Sequence, residues 1–260
     1  MNRGDLKQYR KNLHSQNGED GILEEICQRL AITKGWFVEF GAWDGRHLSN
    51  AYHLLADKGW SGVFIEGDPK KYEDLLKTKA AFPERLHTIC AMVGFEGESR
   101  LDNLLGKTPV PKEFDILSID IDSYDWQVWN ALENYRPKIV VIESNCSIPV
   151  GEISVHEPPA RQGASFTALT ELGTRKGYQL VCHTGNCIFV VNELVPELHL
   201  PAELLALPEK LFDYPKHYKE RLINLARKLV PKRWMEAAFR FSQQRKAAAN
   251  RKNIVAAIRQ

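Results

Sequence analysis

Phe37-Val38-Glu39-Phe40-Gly41-Ala42-Trp43-Asp44-Gly45 reads as an apolar strand that ends in an acid and breaks into a glycine-bearing turn. A strand without polar alternation is one covered by helices on both faces, as in a parallel sheet. Glycines at its carboxyl end let backbone approach a ligand closely, at the edge where open α/β sheets bind theirs. The same grammar recurs downstream. Further apolar runs go from Gly62 to Glu66, Leu86 to Met92, Phe114 to Ile121 and Lys138 to Ile142, then from Tyr178 to Cys182 and Cys187 to Val191. Helical stretches are predicted between them from Leu48 to Lys58, from Pro69 onward, and from Tyr124 to Asn134. Pro69 suits a first helical turn, where its missing N–H costs nothing. His183-Thr184-Gly185-Asn186 separates the last two runs and predicts a hairpin,. The fold class is therefore α/β, with a seven-stranded, mostly parallel sheet, helices on both faces and a C-terminal antiparallel hairpin.

The composition fits one globular body. Of 260 residues, 43% are hydrophobic and 26% charged, with 17 Gly and 13 Pro, which excludes disorder, collagen and coiled coil as overall classes,. The five cysteines form no C-x-x-C pair, so neither a disulfide framework nor a zinc ribbon is suggested,. No run nears the roughly 20 apolar residues that span a bilayer, and the first residues lack the apolar core of a signal peptide,. The expectation is a soluble, cytoplasmic protein.

The net charge of +2 hides an asymmetry. From Ala206 onward 14 Lys/Arg face four acids, a net of +10, which leaves −8 on the first 205 residues. The chain thus divides into an α/β domain over 1–205 and a basic helical extension over 206–260. Tyr218, Leu222, Leu225 and Leu229 stand at helical spacing, and Trp234, Met235 and Phe239 follow Pro231 among basic residues. Such helices lie on anionic membranes, dock on a body or second subunit, or touch nucleic acid. The expected roles are membrane-surface contact, peripheral at the inner membrane, or subunit pairing, with nucleic acid the less favoured partner.

Three segments carry chemistry. Asp44 in the first turn would repel a pyrophosphate, and the G-x-G-x-x-G of nicotinamide-binding folds is absent; an acid there suits the ammonium and sulfonium of S-adenosylmethionine better,. Glu66 ends the second run 21 residues beyond Gly45, the separation at which an acid accepts ribose hydroxyls,. In Ser118-Ile119-Asp120-Ile121-Asp122-Ser123-Tyr124-Asp125, Asp120 and Asp122 would share one strand face, and Val141-Ile142-Glu143-Ser144-Asn145 brings a further carboxylate and an amide oxygen to the same edge,. Like charges this close need a cation or a shared proton, and Asp120, Asp122, Glu143 and Asn145 offer the oxygens of a magnesium site. Asp122 or Ser123 capping the next helix is the alternative.

Together with Ser15-Gln16-Asn17-Gly18-Glu19-Asp20-Gly21, Gly163-Ala164-Ser165 and Gly185-Asn186-Cys187-Ile188-Phe189-Val190, these segments resemble the FkbM-type methyltransferases over roughly Leu13 to Glu193. The resemblance implies a Rossmann-like, class I, S-adenosylmethionine-dependent enzyme that methylates hydroxyls, often on sugars. It implies that Glu39, Gly41 and Asp44 hold the methionine part, that Glu66 holds the ribose, and that Cys90, Ala91 and Met92 flank the adenine. Many class I enzymes place an acid beside the adenine amine, where this chain reads Cys90-Ala91-Met92-Val93. Gln16, Glu19 and Asp20 would cover the cofactor, or else begin a helix capped by Asn17. Class I enzymes acting on amines carry Asn/Asp-Pro-Pro-aromatic after the fourth strand. Asp122-Ser123-Tyr124-Asp125 stands there instead, nearer the magnesium-dependent catechol type, with Ser144 inserted in the Asp-Asn pair of that type.

The expected activity is metal-assisted O-methylation of a saccharide or glycoconjugate hydroxyl. Asp120 serves cofactor, metal and catalysis in this reading. The base would be His156, in the long segment after the fifth strand, with His183 the other candidate. The rival readings are a non-catalytic methyltransferase-like binding or scaffold protein, and an NAD-dependent oxidoreductase.

Overall fold

The structure is a computed structural model that describes residues 4–157, 160 and 162–215. Its centre is a seven-stranded sheet: β1 (Trp36–Phe40), β2 (Ser61–Glu66), β3 (Leu86–Cys90), β4 (Ile116–Ile119), β5 (Ile139–Glu143), β6 (Tyr178–His183) and β7 (Asn186–Val191). The spatial order is β3-β2-β1-β4-β5-β7-β6. The first five strands pair in parallel, and β7 runs antiparallel to both β5 and β6.

Strand side chains alternate between faces, and both faces of the central strands are apolar apart from Glu39 and Ser118, so the sheet builds two cores,. Val38, Phe40, Val63, Ile65, Leu117 and Val140 join one, which includes Trp129. Phe37, Phe64, Ile116, Ile139 and Val141 join the other, with Trp60. The covering helices are α1 (Glu19–Arg29), α2 (Tyr52–Asp57), α3 (Pro69–Ala81), α4 (Leu101–Leu105), α5 (Asp125–Ala131), α6 (Phe166–Arg175) and α7 (Ala202–Ala206).

The strand order reverses between β1 and β4, because β1 pairs β2 on one side and β4 on the other. Such a switch point opens a crevice at the carboxyl edge. Two expected elements are shorter than their apolar runs because the chain turns left-handed beside that edge. The helix expected from Leu48 begins at Tyr52, with Leu48 at φ 60°, and the fourth strand stops at Ile119, before Asp122 at φ 56°. The hairpin forms as expected: Thr184 N–H donates to the Asn186 carbonyl, and Gly185 takes φ 112°. Gly18, at φ 96°, precedes α1 in place of an Asn17 cap.

Among the described residues no helix is long and apolar enough to cross a membrane. Residues 206–215 run along the body: Leu211 is buried, and the Phe212 ring stacks on His183 at 4.8 Å. The basic stretch beyond, 216–260, to which the membrane and subunit-pairing expectations attach, lies outside the described residues.

Candidate functional site

At the switch point a cleft of about 270 Å³ opens between the ends of β1, β2, β3 and β4. Its floor is Gly41, which needs its missing side chain: φ is 76°, and a Cβ would fall 2.0 Å from the Asp120 carbonyl oxygen. Ile65 to Asp68 form one wall, Ala91 to Val93 the next, and Asp120 to Tyr124 the third.

Glu66 is buried at the end of β2 and lines the cleft. One oxygen accepts the Trp43 N–H at 2.7 Å and the other the Asp68 N–H at 2.8 Å, which fixes the carboxylate while leaving lone pairs for ligand hydroxyls,. Asp68 caps α3 by accepting the Lys70 N–H. Ala91 and Met92 form an apolar wall, whereas Cys90, opposite Glu66 in the ladder, is exposed and outside the lining.

The other members of the glycine segment support the cleft rather than line it. Glu39 is buried beneath, and one oxygen accepts the N–H groups of Asn50 and Ala51, both at 3.1 Å, at the start of α2. Burial pushes its carboxyl up to about 7, against hydrogen bonds from Ser49, Asn50, Ser118 and Ala51. Asp44 closes its own turn by accepting the N–H groups of Arg46 and His47 at 2.8 Å. Gln16 is exposed, its carbonyl accepts from the Asn12 side chain, and it is not among the lining residues.

Beside the cleft, Asp120, Asp122 and Glu143 each offer an oxygen within 4.8 Å of the others. Asp120 and Asp122 are solvent-exposed and Glu143 is half-buried. Desolvation of the Asp120 carboxyl among its neighbours, then Glu143, Asp125 and Asp122, push it above the usual carboxylate range, and its exposure to water moderates that push. Burial, Asp122 and Asp125 push Glu143 up to about 7. Crowded acids with raised proton affinity are what a cation or a shared proton relieves. Asp125, passed over in the sequence reading, shapes this group. Its oxygens accept the N–H groups of Ile121 at 2.9 Å and Ser123 at 3.0 Å, bracketing left-handed Asp122. Asp125 thus ties together the turn ahead of α5, whose N-cap is Tyr124 and which has no side-chain cap, so neither Asp122 nor Ser123 is used as one.

Asn145 is drawn into the following segment. Its oxygen accepts from Ser147 and its amide donates to the Gln162 carbonyl at 2.6 Å. In the same segment His156 Nδ1 meets the Gly163 carbonyl at 3.0 Å, so Nδ1 is the donor,. His156 is not among the cleft's lining residues. His183 is built into the core: Nδ1 accepts the Asp213 N–H at 2.9 Å and Nε2 meets Ser144 Oγ at 2.8 Å. Burial pushes it down to about 3, so it stays neutral and has no route to a substrate proton.

No protein-family model and no curated protein matches the chain. Solved structures do. M. capricolum TrmK in complex with S-adenosyl-homocysteine is 13% identical, with 85% of this chain and 95% of that one covered at a TM-score of 0.43. An S-adenosylmethionine-dependent methyltransferase from Clostridium acetobutylicum is 7% identical, over 66% and 90% at 0.42. The mitomycin 7-O-methyltransferase MmcR is 17% identical, over 66% and 55% at 0.37. The fold itself is fixed by the sheet: Rossmann-like and mostly parallel, ending in the antiparallel hairpin that the apolar runs and the Gly/Asn turn predict, with β7 between β5 and β6.

Proposed function

We propose that the protein is an S-adenosylmethionine-dependent O-methyltransferase acting on a hydroxyl of a saccharide or glycoconjugate, with help from a divalent cation. The observation that carries this reading is a switch-point cleft that joins a hydroxyl-accepting carboxylate, Glu66, and an apolar wall to an acidic cluster. The cleft fits an adenosine: Gly41 leaves room for close approach, Glu66 accepts from ribose, and Ala91 and Met92 flank the base. S-adenosylmethionine bound there supplies an electrophilic methyl group.

A saccharide hydroxyl is a poor nucleophile at neutral pH, so the site must acidify it or remove its proton. Asp120 lines the cleft and belongs to the cluster, which makes it the residue able to act on both. Asp120, Asp122 and Glu143 supply three hard oxygens for a magnesium ion, which would lower the pKa of a coordinated hydroxyl. His156, in the segment after β5 and with Nδ1 engaged by the Gly163 carbonyl, is the proton acceptor in this proposal.

Calorimetry with S-adenosylmethionine, S-adenosyl-homocysteine and NAD, in magnesium or chelator, tests the cofactor, and transfer of labelled methyl to a glycan pool tests the reaction. Asp120→Asn is expected to lower turnover at least about 100-fold, the scale of lost acid–base or metal assistance, while S-adenosyl-homocysteine affinity stays within about twofold. Retained turnover in that variant would remove Asp120 from the chemistry, and binding of NAD alone would replace the methyltransferase reading with the oxidoreductase.

A further inference from the structure

Two residues in contact, Lys71 in the lining of the cleft and Trp43 beside it, each depart from what local stability favours. Trp43 is a bulky aromatic held at φ 45°, in the left-handed region that disfavours such residues, and it is 42% exposed,. Lys71 lies in the first turn of α3, where the positive end of the helix dipole disfavours a cation,. The two residues meet: the Lys71 ammonium sits 5.5 Å from the centroid of the Trp43 ring. That contact holds a cation without consuming its hydrogen-bond donors. Lys71 lines the cleft, in a wall that otherwise carries the acids Glu66, Asp68, Asp120 and Asp122.

Trp43 also links Lys71 to Glu66, since the amide of the residue whose ring lies under the ammonium donates to Glu66 Oε2 at 2.7 Å. One residue therefore fixes an acceptor and a donor on the same cleft. A ribose diol needs both, because each hydroxyl gives one hydrogen and accepts others. We propose that Lys71 is a ligand-binding residue that donates to the ribose oxygens of the nucleoside while Glu66 accepts from them, and that Trp43 is the positioning residue that aims it. This inference rests on the nucleoside cleft of the proposed function and adds to it a selectivity for ribose over deoxyribose.

The test is calorimetric binding of S-adenosyl-homocysteine to the full chain and to Lys71→Met, Trp43→Gly and the double variant. Met keeps the length of the lysine stem, and Gly keeps the Trp43 N–H and tolerates its backbone angle. Lys71→Met is expected to weaken binding about tenfold, the scale of one hydrogen bond from a charged donor. Trp43→Gly is expected to weaken it similarly, and the double variant no further than Lys71→Met alone. Trp43→Gly should melt no lower than wild type, since strain is relieved; a merely structural tryptophan would lose stability and affinity together. Lys71→Met should also narrow the preference for adenosine over 2′-deoxyadenosine. Wild-type affinity in Lys71→Met overturns the role of the lysine, and additive losses in the double variant overturn the positioning role. A wild-type protein that binds no S-adenosyl-homocysteine overturns the methyltransferase reading itself.

Discussion

Asp20 shows how a buried charge can be used for structure beside a site. One carboxylate oxygen accepts the N–H groups of Leu13, His14 and Ser15 and the Ser15 hydroxyl at 2.7–2.9 Å, and the other faces His53 Nδ1 at 2.8 Å. Burial alone would raise this carboxyl, but His53 and the Ser15 and His14 donors outweigh it and hold it well below the usual range. The Ser15-Gln16-Asn17-Gly18 turn is thereby tied to α2, whose first turn is held in place by Glu39. A carboxyl with a depressed folded pKa stabilises above its unfolded value and loses that contribution as pH falls toward the folded one. Asp20→Asn is therefore expected to cost about 2–4 kcal/mol at pH 7. The cost should shrink as pH drops below about 4, where the unfolded carboxyl takes up its proton. Urea unfolding at pH 7 and pH 3 measures both values; an equal gap at the two would show that Asp20 acts through packing and not through charge. Gly41 sets a second limit at this scale. Gly41→Ala puts a methyl 2.0 Å from the Asp120 carbonyl at φ 76°, so S-adenosyl-homocysteine binding and melting temperature should fall together,.

Elements were legible where burial is two-sided and hidden where one polar side chain decides. All seven strands could be read because runs such as Val63 to Ile65 and Val140 to Ile142 are apolar on both faces, and the hairpin because Gly185 and Asn186 announce it. Helix α6 has no two-sided apolar run to announce it, and its start rests on one side chain: Ser165 Oγ accepts the N–H groups of Ala168 and Ser154, both at 3.1 Å. Ser165→Ala is expected to cost about 1–2 kcal/mol, a fall of several degrees in melting temperature by calorimetry, because two donors lose their acceptor in a buried corner. The site followed the same rule. Glu66 and Asp120 line the cleft, but Glu39 and Asp44 give their oxygens to backbone N–H groups of the loop between β1 and α2. An acid at a strand end reads alike whether it waits for a ligand or closes a turn. The distinction lies in the φ angles of Trp43, Leu48 and Asp122, which sequence spacing does not carry.

At the scale of the whole molecule, the charge asymmetry and the packing give different divisions of the chain. Composition changes near Ala206, yet Leu211 is 1% exposed, Phe212 stacks on His183, Asp213 N–H donates to His183 Nδ1, and Arg10 pairs with Asp213 at 2.9 Å. Pro215 lies against Gly185, where a Cβ would come within 2.5 Å of its ring. A chain ending at Pro215 keeps all of these contacts, and one ending at Leu205 loses them. The shorter chain is expected to be less stable by about 3–5 kcal/mol at pH 7, the cost of unpacking one aromatic and one aliphatic side chain. Acid should narrow that gap. In the longer chain burial keeps His183 neutral down to about 3, so between pH 6.5 and that value the unfolded chain binds a proton the folded one refuses, and stability falls with pH,. In the shorter chain the uncovered imidazole can take the proton, which removes the penalty. Over the 1.5 units from pH 6.5 to pH 5 the difference should close by about 2 kcal/mol in urea titrations. A gap that stays constant from pH 7 to pH 5 would mean that β6, β7 and Phe166 alone keep His183 neutral. Equal stability of the two chains would place the end of the body at residue 205 after all.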